Sequence, residues 1–173
     1  MTPRPFLILT PSPATTPEVG ALLAVLHGAR AVTLKSARRI GNLDAAAVGG
    51  FSTHLPSAGT LLYHIAMIEL DWLYVEVLEK GEDDFPAEAR SWLPLNARNS
   101  AGHLSPVTGE PLERHLKRLD WVRGLTDGVF SAMTLGDFRR PRIMDAYDVT
   151  PEWVLMHLAL HEAHHEGQLA LLV

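Results

Sequence analysis

A chain of 173 residues, 47% hydrophobic and 20% charged, has the size of one ordinary domain and enough apolar side chains for a real core. Its formal charge of -5 opposes phosphate binding, which needs a concentrated basic surface, so nucleic acid is not an expected partner. Cysteine is absent, which excludes disulfides, thiolate metal ligands and a cysteine nucleophile of the protein's own.

No apolar run approaches the roughly 20 residues of a membrane span. The stretch FLIL at residues 6–9 is too short for a signal-peptide core and is followed by Pro11, Pro13 and Pro17. The expectation is a soluble, cytoplasmic protein with no membrane partner.

Along the chain, residues 1–16 are proline-rich and predict an extended, helix-free arm, followed by a bundle over residues 17–173. The first helix is predicted from Pro17 to Ile40. Proline and Glu18 suit a first turn, Leu22, Leu26, Ala29 and Thr33 repeat at helical spacing, and Gly41-Asn42 stops it. A connection over residues 43–56, with Gly49-Gly50, leads to a second helix from Ser57, a capping residue, to about Lys80. Leu61, His64, Ile65, Ile68, Trp72 and Val75 share one stripe, which puts His64 on an apolar face. Residues 81–108, rich in Pro, Gly, Asn and Ser, predict a long irregular loop of the kind that is often functional. The third helix is predicted from Gly109 to Met133, and residues 134–149, with Arg139, Arg140 and Arg142, form a connection. The fourth opens at Thr150-Pro151-Glu152, a capping hydroxyl, a first-turn proline and an acid, and runs almost to Val173. Four amphipathic helices without a convincing alternating strand predict an all-α four-helix bundle.

Histidine is the unusual residue. Nine occur, and His157, His161, His164 and His165 fall within nine positions of the last helix. At about 100° per residue all four share an arc of about 100°. His161 and His165 are one turn apart, so their rings can converge on one ion. Bundles build metal sites from inward side chains of facing helices, and His64 is the best upstream third ligand. Three neutral imidazoles suit zinc, nickel, iron or copper, and they leave open positions, the catalytic rather than the structural arrangement. The plainer readings stay open: His64 as a hydrogen-bonded core histidine, and His157 and His164 as outer-sphere or partly exposed side chains. Glu162 is a general base, an outer-sphere acceptor or merely a polar residue.

Residues 161–165 also spell H-E-x-x-H, the zinc helix of many metalloproteases. The third ligand expected six residues past His165 in one such spacing is instead Leu171, and no later helix is available to supply another. The protease pattern is therefore read as coincidental, with the third ligand reaching in from upstream.

With LLYHIAMIELDWL around His64 and TPEWVLMHLALHEAHHEGQLALL at the C-terminal end, the chain resembles the DinB-like metal-binding bundle family. The matching pattern is one histidine on the second helix and H-x-x-x-H-x-G-Q on the fourth, here His64, His161, His165 and Gly167-Gln168, with Trp153 just inside the fourth helix. The resemblance implies a four-helix bundle, often a homodimer, holding a divalent metal ion on three side chains. It also implies thiol-dependent transferase or isomerase chemistry with bacillithiol, mycothiol or glutathione. Zinc or nickel is the first expectation, then iron or manganese. Without cysteine, any thiol must be a low-molecular-weight cosubstrate attacking a small electrophile, and Arg139, Arg140 and Arg142 are candidates for binding its carboxylate. The alternatives are metal-dependent hydrolysis with Glu162 as base, and a non-catalytic, stress-linked metal protein.

Overall fold

The computed structural model describes residues 7–45 and 56–173. Most of the connection expected at residues 43–56, and the first residues of the arm, lie outside that range. Four long helices form the body: α1 (Pro17–Ala37), α2 (Ala58–Trp72), α4 (Leu112–Ser131) and α6 (Pro151–Ala170). Between them lie the short α3 (Ala89–Trp92) and α5 (Leu135–Phe138) and a hairpin of β1 (Arg142–Ile143) with β2 (Asp148–Val149). The fold is an all-α bundle. None of the described helices is long and apolar enough to cross a membrane.

The core falls into two apolar halves, and each long helix passes through both. α1 enters with Val19, Leu23 and Leu26 in one half and ends with Ala37 in the other; α6 does the same with Val154, Leu155 and Leu158, then Leu169. α2 and α4 run the opposite way, from Leu61, Leu62, Leu119 and Val122 to Leu73 and Phe130. The helices α1 and α6 are therefore parallel neighbours, as are α2 and α4. A parallel pair needs a connection as long as the bundle, about 30 Å for a helix of this length. That is the physical reason for the long stretch between α2 and α4.

This stretch is anchored rather than loose. The buried Arg118 guanidinium donates to the Trp92 carbonyl at 2.6 Å and to Glu110 at 2.6 Å. The Tyr63 hydroxyl donates to the Leu95 carbonyl at 2.6 Å and accepts from the Leu95 amide at 2.7 Å. A Cβ on Gly59 would sit 3.2 Å from the Val107 carbonyl, so glycine lets this segment lie close against the start of α2. The proline-rich arm is also seated. Ser12 N–H donates to the Gly20 carbonyl at 2.9 Å, and a Cβ on Gly20 would lie 2.4 Å from the Ser12 carbonyl.

Several sequence expectations need correction. The second helix does not continue as an α-helix to Lys80: after Trp72 it becomes a π-turn over Leu73–Val77. The third starts at Leu112, not Gly109, because Gly109 has φ +73° and Pro111 takes the N-cap. The first stops at Ala37, its end tightened by the bond from Arg39 N–H to the Ser36 carbonyl. The connection after the third helix is structured. Thr134 caps α5, and Arg142 pairs with Val149 across the hairpin. The buried face of α1 is Val19, Leu23, Leu26, Arg30 and Thr33. It includes an arginine that a search for apolar residues passes over.

Candidate metal centre

α2 is buried nearly all round, because it lies between α4 and α6. That places His64 in the interior, 4% exposed. Ser57 fixes the start of α2 by accepting from the Thr60 amide, and Thr150 does the same for α6 from the Trp153 amide. His161 and His165 then project from successive turns of α6 towards His64. Nε2 of His161 lies 3.3 Å from Nε2 of His64 and 3.1 Å from Nε2 of His165. One ligand atom of each ring falls within 4.8 Å of the others, and these are the only residues among those described that form such a group.

Zinc–nitrogen bonds of about 2.0–2.1 Å at tetrahedral angles put two ligand nitrogens about 3.3 Å apart, and the two short separations match that span. The proton arrangement agrees. Oε1 of Gln168 can only accept, so His165 Nδ1, 2.7 Å away, carries the proton and its Nε2 lone pair faces the group. Burial, then the neighbouring His165 and Arg98, lowers the His64 pKa to about 4. Burial, then His165 and His64, lowers that of His161 to about 3. Burial also lowers His165, against the opposing hydrogen bond from Gln168. At neutral pH all three rings are neutral, the form that can bind a metal. The buried His64 Nδ1 has no partner.

A family model described as mycothiol S-transferase matches residues 21–172. The chain belongs to the mycothiol S-transferase family. No curated protein matches it. The DinB-like resemblance read from the histidine pattern is thereby borne out.

In this family member the other sequence candidates lie apart from the three rings. Glu162 faces away from them, into the core, where Oε1 accepts from Arg30 at 2.6 Å and Oε2 from Arg123 at 2.9 Å. Both oxygens are occupied by guanidinium groups, an environment unlike that of a general base. The second carboxylate of this network is Glu69, which takes Arg30 at 2.7 Å and Arg123 at 2.7 Å. Thus α1, α2, α4 and α6 each send one charged side chain to the level where the two apolar halves meet. Burial would raise Glu69, but Arg123 and Arg30 outweigh it and hold the carboxyl at about 2.

His157 does not join the group; its ring stacks on Trp153 at 4.8 Å and lies 4.3 Å from Trp72. His164 is exposed, its ring edge-on to His165. The three arginines considered for a carboxylate are already engaged. Arg139 pairs with Glu152 and Arg140 with Glu79 and Asp137. Arg142 is buried and donates to the Val77, Asp137 and Arg140 carbonyls. The arginine whose charge does act on the rings is Arg98, in the long loop, which lowers both His64 and His165. Periodicity gives no sign of it, because its place depends on how the loop returns across α2. The helix-turn spacing of His165 and Gln168 did carry a signal for their bond.

Proposed function

We propose that His64, His161 and His165 bind a divalent metal ion, zinc or nickel foremost, and that the protein joins a low-molecular-weight thiol to a small electrophile. The observation that carries this reading is the convergence of three imidazole Nε2 atoms from two helices, with His161 3.3 Å from His64 and 3.1 Å from His165. A divalent ion bound there supplies Lewis acidity that favours thiolate over thiol near neutral pH.

The chain's own residues do the rest. Burial keeps the rings unprotonated, and Gln168 fixes the His165 ring. With no cysteine in the chain, the nucleophile is a cosubstrate thiol, and the family description supports mycothiol as the first to test. In the transfer the sulfur forms a bond to the electrophilic carbon. The leaving group departs with its bonding pair, and the thiol proton passes to solvent.

Hydrolysis through Glu162 fits less well, since both its oxygens are held by arginines. A closed, non-catalytic site needs a fourth ligand, and neither His157, stacked on Trp153, nor the exposed His164 lies with the three rings. We place the protein in the cytoplasm as a homodimer. Outward apolar residues support the dimer: Val25 and Val32 on α1, Met156 and Leu160 on the adjacent α6. Sedimentation of Leu160→Glu against the native chain tests it.

The test of function is metal analysis of protein purified without a metal-affinity step, followed by turnover of a thiol panel with a chromogenic electrophile. The native protein is expected to carry about one divalent ion per chain and to turn over mycothiol. Undiminished turnover in His165→Ala would show the assignment to be wrong.

A further inference from the structure

A cleft of about 620 Å³ has Trp72, Pro141, Tyr147, Asp148, Thr150 and Trp153 among its walls. Its aromatic side chains form a set. The Trp72 ring stacks at 6.4 Å from Tyr147, with an interplanar angle of 20°, and lies 5.5 Å from Trp153. Trp153 and Tyr147 are 43% and 47% exposed. Large rings are held open to solvent here, where such surface is ordinarily buried.

The cleft is built rather than incidental. The buried Arg142 ties the hairpin to the π-turn after α2 through the Val77 carbonyl at 3.1 Å. The Tyr147 hydroxyl donates to Glu76 at 2.9 Å, and Glu76 stands in the π-turn that follows Trp72. A π-turn often marks a functional site. Trp153, His157, His161 and His165 follow one another at one-turn spacing along α6. Their ring centroids are 4.8, 6.1 and 4.5 Å apart in succession. A continuous file of rings therefore leads from the cleft to the metal-binding group. Trp153 and His161 are separated by two turns, about 12 Å of helix rise.

We infer that this cleft seats the electrophile, and that the electrophile is a flat apolar molecule, aromatic or conjugated, with its reactive carbon at the end nearest His161. The inference rests on the thiol-transfer reading for its chemistry but not for its binding. Indole and phenol faces gain most from offset stacking on a planar π-system. The volume accommodates a molecule of one to two rings, within the usual range of about 300–1,000 Å³ for small-ligand sites. Trp72, Tyr147 and Trp153 are thus specificity-determining residues for the second substrate.

The binding arm of the test uses the metal-free full chain and calorimetric titration with 1-naphthol, an unreactive flat probe. Tetramethylammonium is titrated in parallel as the alternative occupant of an aromatic-walled site. Naphthol is expected to bind with one site per chain. Trp153→Ala and Tyr147→Ala should each weaken it about tenfold, Trp153→Phe should recover most of the loss, and His165→Ala should leave it unchanged. The kinetic arm uses the metal-loaded enzyme. Trp153→Ala should raise KM for an aromatic electrophile about tenfold while leaving KM for the thiol in place. Naphthol binding without any thiol transfer would defeat the functional reading and leave the cleft assignment standing. Transfer that proceeds with naphthol affinity and electrophile KM unchanged in both alanine variants would overturn the cleft assignment. Preferential binding of tetramethylammonium would overturn it as well.

Discussion

Two polar clusters lie back to back on α6, and they are built on opposite rules. His161 and His165 point to α2 and meet His64; Glu162, one residue along, points into the core and meets Arg30 and Arg123. The charged cluster is complete. Two guanidinium and two carboxylate groups cancel, and the Leu119 and Leu26 carbonyls accept N–H groups the carboxylates leave over, at 2.7 and 3.2 Å. The histidine cluster is incomplete. It has three imidazole nitrogens facing one another, no carboxylate in the group, and a buried His64 Nδ1 without a partner. A closed polar network holds helices in register, whereas an open one keeps donor atoms of the kind that suit a cation. The difference separates what the bundle needs in order to fold from what it carries in order to act.

The largest effect should come from breaking the closed cluster. Arg30→Met leaves Glu69 and Glu162 to share Arg123 in a site that is almost fully buried. Removing one partner of such a network is expected to destabilise the fold by about 3–5 kcal/mol, read by urea unfolding. Replacing all four charged residues together with apolar ones of similar volume should be far less harmful, because no charge is left uncompensated. A loss below about 1 kcal/mol for Arg30→Met would mean that the network is not the register device described here.

The open cluster should respond to metal and hardly at all to truncation in its absence. At a free zinc or nickel concentration about 100 times the dissociation constant, the native protein should gain about 2.7 kcal/mol. His161→Ala should gain almost nothing, although its metal-free stability stays near that of the native chain. Gln168→Leu sharpens the point, since it removes only the acceptor for His165 Nδ1. Metal affinity should fall about 10–100-fold with the fold intact, measured by competition with a chromogenic chelator. An unchanged affinity would show that Gln168 does not orient the ring.

The same contrast explains what could be read from the amino-acid order. The histidines were legible because a helix converts spacing into direction: His161 and His165 must share a face, and His64 lies on an apolar stripe. The four long helices were legible for the same reason, through Pro17, Ser57 and the Thr150-Pro151 start. The charged cluster was not, because Arg30, Glu69, Arg123 and Glu162 lie far apart in the chain and each looks like an ordinary polar residue on a helix. Only the up-down-down-up passage of the four helices brings them to one level. The aromatic cleft was hidden in a similar way. Trp72 fitted the core stripe of the second helix, and its role depends on the π-turn after it and on a hairpin with only two residues per strand. Arg98 was lost to the long loop, where no periodicity applies.

Acid should separate the two clusters at the smallest scale of effect. His64 and His161 have pKa values of about 4 and about 3 in the folded protein, below the ordinary histidine value of 6.5, chiefly because burial disfavours the imidazolium. The unfolded chain therefore takes up protons first as pH falls. The stability linked to these rings is whole above pH 6.5 and is lost as pH drops towards 4 and 3. Glu69 acts in a lower window. Its carboxyl, held at about 2 by Arg123 and Arg30 against the opposing pull of burial, lies below the ordinary glutamate value of 4.5. Its contribution is whole above 4.5 and is lost as pH falls through 2. Each differential proton contributes at most about 1.4 kcal/mol per pH unit. Urea unfolding of metal-free protein between pH 7 and 5 should thus isolate buried histidines, including His115, whose pKa burial and Arg118 lower to about 4. His64→Ala and His161→Ala should each flatten this slope and leave the steeper loss below pH 4.5 in place. If neither variant alters the slope above pH 5, the rings are not held neutral by the fold, and the open cluster loses the property that makes it ready for a cation.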